Sequence, residues 1–258
     1  MSDPGTASSR FPRLKKAARS ATGFLLGLIY PPTCIACQGA TGAPHALCAA
    51  CWSGIRFIER PYCERLGTPF PVDLGMMLHS PAALADPPVF ERARAVAEYD
   101  GTASALVHRL KYGDRLELAR ALGGMMVRAG AELLVDADVI VPVPLHRYRL
   151  WRRRFNQAMA LSSVVARESG LPCDPFLLSR VKHTRQQVGL TKAQRQQNLQ
   201  GAFRVSDDAR PRLAGTRVLL VDDVLTTGET ANAASRALLR GGAASVDILA
   251  FARVVTER

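Results

Sequence analysis

Runs of branched apolar residues alternate with longer stretches of helical periodicity over most of the chain after residue 90. The run at 218–221 predicts a buried parallel strand, and the alanine-rich stretch 231–240, which two glycines end, predicts a helix. Further strands are predicted at 93–99, 139–144 and 246–253, and further helices at 104–111, 116–134 and 158–168. This alternation predicts an α/β domain with a largely parallel sheet flanked by helices.

Two adjacent carboxylates follow the strand at 218–221, and a loop of hydroxyl and glycine residues leads from them into the helix. Loop amides and the positive end of a helix dipole can hold a phosphate, while paired carboxylates can accept hydrogen bonds from vicinal ribose hydroxyls. The pattern resembles the phosphoribosyl pyrophosphate (PRPP) motif of type I phosphoribosyltransferases; the alternative is an ordinary strand-turn-helix with a polar turn. The residues predicted to bind PRPP are Asp222, Asp223, Thr226, Thr227, Gly228, Glu229 and Thr230.

Two basic segments lie between the predicted strands. The arginine-rich run at 147–154 follows the strand at 139–144, and the carboxyl ends of strands are where α/β folds bind ligands, so we predict an anion site; a solvated helix face is the alternative. Asn156 and Gln157 either cap the next helix or bind a ligand. The polar, basic segment 180–203 predicts a loop that closes over a phosphorylated ligand, or else an exposed helix.

Composition limits the function only loosely. A chain of 258 residues with 48% hydrophobic residues holds one ordinary domain plus a small appendage, which excludes an intrinsically disordered protein. The net charge of +12 favours anionic partners, namely phosphates, nucleic acid or a membrane surface, although a generally basic proteome gives the same sign.

Five of the six cysteines fall between residues 34 and 63. Two C-x-x-C pairs, Cys34 with Cys37 and Cys48 with Cys51, can each direct two thiolates at one tetrahedral zinc, with a ribbon hairpin between them. Four protein ligands close such a site, so this zinc is predicted to stabilise the fold and to take no part in chemistry. Disulfides and a redox pair are the alternatives, but nothing in the sequence indicates an oxidising compartment. Cys63 has no C-x-x-C partner and is predicted to be free.

The sequence divides into four predicted segments: an amphipathic helix or tail at 1–30, a zinc-ribbon module at 31–68, a linker at 69–90 rich in Pro, Gly and Ala, and the α/β domain at 91–258. Residues 24–30 are apolar and follow basic residues, but the run is too short for a bilayer and no small-residue cleavage site follows it. We therefore expect a cytoplasmic protein with a helix at about 14–29 docked on its body; binding of that helix to a membrane surface is the alternative.

Four segments, in one order, resemble the competence-associated ComF family. They are the cysteine pairs after L-I-Y-P-P-T-C, then L-K-Y-G-D, then V-P-V-P-L-H-x-x-R-L-x-x-R-x-F-N-Q, then T-x-x-Q-x-G-L-x-x-x-x-R-x-x-N before the PRPP motif. The match covers roughly residues 25–255 and implies a type I phosphoribosyltransferase-like fold with a small N-terminal zinc ribbon.

By matching position, the resemblance implies further site residues. Asp222 and Asp223, with Arg149 and Arg153, are implied as catalytic. The pyrophosphate side and the long loop are implied to contain Lys111, Arg149, Arg153, Arg154, Asn156, Gln157, Thr184, Gln187, Arg195 and Asn198.

The chain departs from the family pattern at two places. Leu66, Ser80 and Ala83 stand where the family often has the remaining thiols of a second zinc set, so a single zinc is predicted. Arg154 replaces the glycine that usually precedes F-N-Q, which adds charge and changes the flexibility of that loop.

The resemblance implies PRPP and Mg²⁺ as ligands and displacement of pyrophosphate from C1 of the ribose by a nucleophile. Magnesium is expected to bind pyrophosphate and ribose oxygens, since the sequence shows no carboxylate cage. Arg149, Arg153 and Arg154 are candidates for stabilising the leaving group, and no general base stands out. Three function classes stay open: a phosphoribosyltransferase of unknown acceptor, a single-stranded nucleic-acid-binding accessory protein in DNA uptake or processing, and a regulator that binds PRPP or a nucleotide without turnover.

Overall fold

The computed structural model describes residues 32–73, 75, 78–112, 116–145, 155–182 and 199–255. Three predicted features lie outside these ranges: the helix at 14–29, the arginine-rich run at 147–154, and most of the long loop. The site residues that lie outside them are Arg149, Arg153, Arg154, Thr184, Gln187, Arg195 and Asn198.

The described residues form eight helices and six strands. In chain order, the helices are α1 (Ala49–Ser53), α2 (Pro81–Ala85), α3 (Gly101–Tyr112), α4 (Leu116–Ala129), α5 (Ala131–Asp136), α6 (Gln157–Ser169), α7 (Arg210–Leu213) and α8 (Glu229–Arg240). The strands are β1 (Ala93–Glu98), β2 (Val139–Pro142), β3 (Ser179–Arg180), β4 (Phe203–Arg204), β5 (Arg217–Leu225) and β6 (Ser245–Arg253). Their order confirms the predicted α/β alternation.

Four parallel strands form the main sheet in the order β1-β6-β5-β2, and β3 with β4 forms a separate antiparallel pair. The pairing of the central strands β5 and β6 extends to Leu225 opposite Arg253. Strand β2 is shorter and pairs with β5 only from Val218 to Val221. The last residues of β5 therefore continue beyond the end of β2, at the carboxyl edge where α/β folds bind ligands.

Helices cover both faces of the main sheet. On one face, buried side chains of α3, α4 and α6 pack in one core with Val221 of β5. On the other face, buried alanines of α8 and Phe203 of β4 pack in a second core with Leu220. Because successive strand residues point to opposite faces, a strand buried on both faces is apolar throughout, as residues 218–221 are.

Two elements differ from the predictions. Strand β5 does not end at 221 but continues to Leu225, because Val224 and Leu225 follow the two carboxylates and still pair with β6. The predicted helix at 116–134 is two helices, since the chain turns at Gly130 between α4 and α5. A Cβ atom at Gly130 would lie 2.8 Å from both terminal methyl carbons of Leu249, so this turn packs directly on β6.

The residues before β1 pack on the α/β domain. Ile35 and Ile55 are buried in the same core as Val107 of α3, and the Arg109 guanidinium donates a hydrogen bond to the Ala36 carbonyl oxygen. Residues 78–90, predicted as part of a linker, contain α2 and hydrogen-bond to residues 63 and 64. The segment boundaries at 31–68, 69–90 and 91–258 stay predictions. Among the described residues, no helix combines the length and apolar character that a bilayer span needs.

Candidate ligand site and metal centre

The acidic pair Asp222 and Asp223 lies near the carboxyl end of β5, just beyond the residues that pair with β2. Asp222 stands opposite Ala250 of β6, and its Oδ1 accepts a hydrogen bond of 2.8 Å from the backbone N–H of Asp223. Both aspartates are partly buried. The sheet thus holds two neighbouring carboxylates at its carboxyl edge, where α/β folds bind ligands.

The electrostatics of the pair disfavour its full ionisation. Burial, and next the negative charge of Asp223, raises the pKa of Asp222 well above its usual range, whereas the positive charge of Lys111 acts in the opposite direction. An acidic pair of this kind is stabilised by groups that donate hydrogen bonds to it, as vicinal hydroxyls do.

Lys111 reaches the acidic pair from the last turn of α3. Its Nζ lies 3.0 Å from Asp223 Oδ2, and the two side chains are only 22% and 14% exposed. The structure therefore brings the lysine of L-K-Y-G-D to the PRPP motif, although the two segments are far apart in sequence. This cation is the one member of the predicted pyrophosphate side that the described residues bring into contact with the acidic pair.

Residues 226–228, here called the phosphate loop, connect β5 to α8. Gly228 is the N-cap of α8 and has φ of 82°, a left-handed conformation that favours glycine. A small cavity at this loop is lined by Asp222, Thr226, Gly228 and Thr230 together with apolar side chains. Because the positive end of the α8 dipole lies here, the loop is suited to an anion.

Two residues predicted in this loop belong to α8 instead. Glu229 and Thr230 form the first helical turn, because the left-handed Gly228 already starts the helix. Glu229 is only 5% exposed, whereas Thr226 and Thr227 are exposed. A buried acid at a helix N-terminus interacts favourably with the helix dipole, so Glu229 has a structural reason to be there.

Asn156 and Gln157 lie at the start of α6, beside the exit of β2. The Asn156 side chain does not cap the helix; its amide nitrogen donates to the Val143 carbonyl oxygen at 3.4 Å. Gln157 is 3% exposed, and its Nε2 has no hydrogen-bond partner within the described ranges. A buried amide nitrogen left without a partner costs about 1–3 kcal/mol, so an acceptor placed at Gln157 would stabilise this region.

The four predicted zinc ligands converge in the N-terminal unit. The Sγ atoms of Cys34, Cys37, Cys48 and Cys51 all lie within 4.8 Å of one another, and those of Cys37 and Cys48 are 3.7 Å apart. Tetrahedral zinc with Zn–S bonds of about 2.3 Å separates its sulfur atoms by about 3.8 Å, so the thiols fit this metal. Elsewhere in the described part of the chain, no other cluster of three or more His, Cys, Asp or Glu side chains converges in this way.

Backbone amides prepare this cluster for thiolates. The N–H groups of Ala36 and Cys48 donate to Cys34 Sγ at 3.4 and 3.3 Å. Burial alone would raise the pKa of Cys34, but hydrogen bonds from backbone N–H groups, among them those of Cys37 and Cys48, lower it to about 6. Burial and the neighbouring thiols raise the pKa of Cys51 to about 12. Zinc binds thiolates, and N–H donors favour that form.

Three residues at the phosphate loop had no signal in the sequence. The Val89 N–H donates a 2.9 Å hydrogen bond to Asn232 Oδ1 of α8. Phe90 is 1% exposed, and its Cε1 is the atom nearest to where a Cβ on Gly228 would stand, at 3.9 Å. Val89 and Phe90 belong to the predicted linker, whose composition gives no periodicity that would reveal these contacts.

Both the N-terminal unit and the α/β domain of this chain match known protein domains. A model of the double zinc ribbon domain matches residues 25–81, and a model of the phosphoribosyl transferase domain matches residues 164–257. Competence protein F of Haemophilus influenzae is 32% identical over 226 residues, which cover 85% of this chain and 96% of that protein. The chain belongs to the ComF family. The predicted family, the phosphoribosyltransferase-like α/β fold and the N-terminal zinc ribbon are therefore confirmed.

Other relatives agree with this ComF assignment. The DNA utilization protein YhgH of Escherichia coli is 31% identical over 239 residues, covering 88% of this chain and 100% of that protein. Competence protein ComFC of Bacillus subtilis is 26% identical over 217 residues, covering 80% of this chain and 84% of that protein. Among solved structures, the glutamine PRPP amidotransferase of B. subtilis shares 21% identity with this chain, and the TM-score is 0.38. The similarity covers 55% of this chain and 30% of that chain.

We expect one zinc ion per purified chain, bound by Cys34, Cys37, Cys48 and Cys51. The substitution Cys48→Ser should abolish stoichiometric zinc binding, because the energy of zinc binding is the folding energy of such a module. Elemental analysis measures the metal, and hydrogen exchange should show lost protection at residues 33–53 while the main sheet stays protected. Cys173→Ser, a thiol in the α/β domain, is the matched control and should keep one zinc. Two zinc ions in the wild-type protein, or none, would contradict the assignment.

Asp222→Asn should stabilise the free protein at neutral pH. Since folding raises the pKa of Asp222, the folded state disfavours its ionisation, and this loss of stability appears as the pH rises above the carboxyl's ordinary value of about 4. The melting temperature of the variant should exceed that of wild type at pH 7, and the difference should shrink as the pH falls toward 4. Asp207→Asn, at a side chain that is 95% exposed, is the control and should show no such trend. A lower melting temperature for Asp222→Asn at pH 7 would contradict the argument.

Proposed function

We propose that the protein binds PRPP at the carboxyl edge of its main sheet and transfers the phosphoribosyl group to an acceptor whose identity is unknown. The observation that carries the proposal is the placement of Asp222 and Asp223 beside the phosphate loop and the N-terminus of α8. Membership of the ComF family and the match to the phosphoribosyl transferase domain support it.

Each part of the site takes one part of the ligand in this proposal. Asp222 and Asp223 accept hydrogen bonds from the two ribose hydroxyls, which act as donors to these carboxylates. The 5′-phosphate binds the backbone amides of the phosphate loop and the exposed hydroxyls of Thr226 and Thr227, with Thr230 at the cavity wall. Glu229, also predicted to bind PRPP, is buried in the first turn of α8 and lies next to this loop.

Pyrophosphate, as the leaving group, needs positive charge nearby. Lys111, whose Nζ lies 3.0 Å from Asp223 Oδ2, supplies a described cation beside the acidic pair. Arg149, Arg153 and Arg154, with Gln157, complete the pyrophosphate side in the proposal. The protein contributes positioning and charge stabilisation, and none of the described residues stands out as a general base.

Magnesium belongs to the proposal because pyrophosphate binds it. When bound, it neutralises the charge of the pyrophosphate and favours its departure. The described residues provide no carboxylate cage beyond the acidic pair, which fits an ion held mainly by the oxygens of the ligand. In the proposal, Asp222 and Asp223 orient the ribose, and Lys111, paired with Asp223, adds positive charge beside them.

A regulator that binds PRPP or a nucleotide without turnover uses the same site. The two proposals differ in whether pyrophosphate is released, so the deciding measurement is a screen for pyrophosphate release from Mg²⁺–PRPP over candidate acceptor bases. Binding without release for every acceptor favours the regulator, and release with one acceptor identifies the substrate.

A second candidate function is the binding of single-stranded nucleic acid. The net charge of +12 and the arginine-rich run at 147–154 favour it. The printed names of relatives refer to competence and to DNA utilization, which is consistent with a role beside DNA uptake or processing proteins. A cytoplasmic location suits both candidate functions and is part of the proposal.

The double substitution Asp222→Asn with Asp223→Asn should weaken PRPP binding while the protein stays folded. Losing two charge-assisted hydrogen bonds to ribose hydroxyls costs roughly 2–5 kcal/mol, or tens- to thousands-fold in affinity. Calorimetric titration with Mg²⁺–PRPP measures the dissociation constant, and melting curves check the fold.

The chain offers a matched control, because Asp207 and Asp208 form a second adjacent pair of aspartates that is fully on the surface. Asp207→Asn with Asp208→Asn should leave the dissociation constant unchanged. If the aspartates of β5 only shaped the following turn, their double variant would lose stability and still bind PRPP. An unchanged dissociation constant would overturn the proposed function.

If the basic surface binds single-stranded DNA, affinity should fall steeply with salt. Each neutralised phosphate steepens this dependence, by about 0.7 in the logarithmic slope for a single strand. Fluorescence anisotropy with a labelled oligonucleotide between low and moderate salt measures the slope. Arg152→Ala with Arg153→Ala should reduce it, whereas Arg167→Ala, on the surface of α6, should not. A flat salt dependence would remove the electrostatic argument for this second function.

A further inference from the structure

The first zinc knuckle has a recognisable backbone. The Cys34 N–H donates to the Gly39 carbonyl oxygen at 2.7 Å, and the Gln38 N–H donates back to the Cys34 carbonyl oxygen at 2.9 Å. Gln38 adopts a left-handed φ of 66° to make this turn. Cys48, the N-cap residue of α1, donates its N–H to Cys34 Sγ at 3.3 Å.

Residues 61–86, here called the second ribbon, repeat each of these features. The Cys63 N–H donates to the Thr68 carbonyl oxygen at 2.8 Å, and the Gly67 N–H donates back to the Cys63 carbonyl oxygen at 2.7 Å. Gly67 has a φ of 65°. Ser80, the N-cap residue of α2, donates its N–H to Cys63 Sγ at 3.2 Å. The two backbones are therefore built on one plan.

The side chains at three of the four ligand positions differ between the two ribbons. Cys63, Leu66, Ser80 and Ala83 occupy the positions of the zinc thiols, so a single thiol remains. Cys63, Ser80 and Ala83 are 0%, 7% and 3% exposed, and Leu66 packs against the core beneath α8. A site with one thiol does not fit structural zinc, although the double zinc ribbon model matches this segment.

Contacts with the main sheet take the place of the metal. The Arg94 guanidinium, on β1 and 3% exposed, forms an ion pair of 2.7 Å with the Glu64 carboxylate of the second ribbon. Arg253, at the end of β6, donates a hydrogen bond to the Leu66 carbonyl oxygen. Residues 64 and 66 of the loop between Cys63 and Gly67 are thus held by side chains of β1 and β6.

The second ribbon also holds the segment that leads to β1. The Arg65 guanidinium donates from Nη2 to the carbonyl oxygens of Pro88 and Phe90, at 3.2 and 3.4 Å. These carbonyls flank Val89, so one arginine of the ribbon fixes residues 88–90.

Residues 88–90 in turn contact the phosphate loop. The Val89 N–H donates to Asn232 Oδ1 at 2.9 Å, and the Asn232 N–H donates to the Gly228 carbonyl oxygen at 2.8 Å. Phe90 is buried, and its Cε1 lies 3.9 Å from where a Cβ on Gly228 would stand. A continuous series of contacts therefore runs from Arg65 of the second ribbon to the glycine that starts α8.

We propose that the second ribbon is a metal-free zinc knuckle that positions the phosphate loop through residues 88–90. The proposal rests on the proposed function only in naming the ligand that the loop binds. Its structural part, that Arg65 keeps residues 226–232 in position, can be tested without any ligand.

The positioning role is tested with Arg65→Ala and the matched control Arg60→Ala. Arg60 is another arginine of this region, but its guanidinium pairs with Glu64 and Glu132 instead of residues 88–90. Arg65→Ala should speed amide exchange at residues 226–232 roughly tenfold and weaken Mg²⁺–PRPP binding by a similar factor, because two hydrogen bonds to residues 88–90 are lost. Arg60→Ala should change neither quantity, and both variants should keep one zinc per chain.

The outcomes separate the two proposals. Unchanged amide exchange at residues 226–232 in Arg65→Ala overturns the positioning role, whatever the effect on PRPP binding. Faster exchange together with no PRPP binding by the wild-type protein supports the positioning role and contradicts the proposed function. Equal acceleration in Arg60→Ala shows general loosening and also overturns the specific role of Arg65.

The metal-free part is tested by restoring the thiols. The triple substitution Leu66→Cys, Ser80→Cys and Ala83→Cys, beside the native Cys63, should raise the zinc content from one to two per chain. If the triple variant does not fold, the wild-type protein decides: removing zinc with a chelator should abolish protection at residues 33–53 and leave residues 62–70 and 78–90 protected. A zinc content that stays at one in a folded triple variant, or joint loss of protection in both ribbons, overturns the proposal.

Discussion

The burial of β5 on both faces of the main sheet is the constraint on which the rest of the structure depends. Its apolar run at 218–221 pairs with β6 on one side and β2 on the other, and both helical layers pack against it. Because β2 ends at Pro142, β5 carries its two aspartates beyond the edge of its neighbour. The position of the acidic pair is therefore set by the packing of the apolar run that directly precedes it, and not by local turn chemistry.

The acidic pair is a costly arrangement that the surrounding charges only partly offset. The two carboxylates are neighbours and are partly buried. Burial, and next the negative charge of Asp223, raises the pKa of Asp222. Lys111 compensates Asp223 from a different layer of the fold. Groups whose protonation is disturbed by burial and by a neighbouring charge occur often at functional sites. The same loss in the free protein leaves binding energy available to a ligand that donates hydrogen bonds.

The sequence predicted the parts of this protein in which local pattern and tertiary structure agree. The alternation of elements, the zinc cysteines and the acidic pair followed by a glycine loop all depend on short-range spacing. The continuation of β5 to Leu225 was missed because two consecutive aspartates are unfavourable inside a strand, and only pairing with β6 compensates for them. The break at Gly130 was missed because a single glycine inside a helical pattern is often tolerated, and its contact with Leu249 is tertiary.

Contacts between distant segments were beyond the sequence for a different reason. Nothing in the spacing of residues indicates that Lys111 meets Asp223, or that Val89 meets Asn232. The resemblance indicates a degenerate second zinc set at Cys63, Leu66, Ser80 and Ala83, but the sequence predicts residues 69–90 as a linker because one remaining thiol is a weak signal of a folded ribbon. The backbone hydrogen bonds and the left-handed Gly67 that repeat the first knuckle appear only in the three-dimensional structure.

Helix α3 joins two regions that are otherwise separate. Arg109 binds the Ala36 carbonyl oxygen within the zinc knuckle, and two residues later Lys111 reaches Asp223. A helix advances about 1.5 Å per residue, so these anchors are about 3 Å apart along one stiff rod. The contact with the knuckle and the contact with the acidic pair are therefore made from a single turn of one helix. Helix α3, which packs against the main sheet, therefore connects the predicted zinc centre with the cation at the acidic pair.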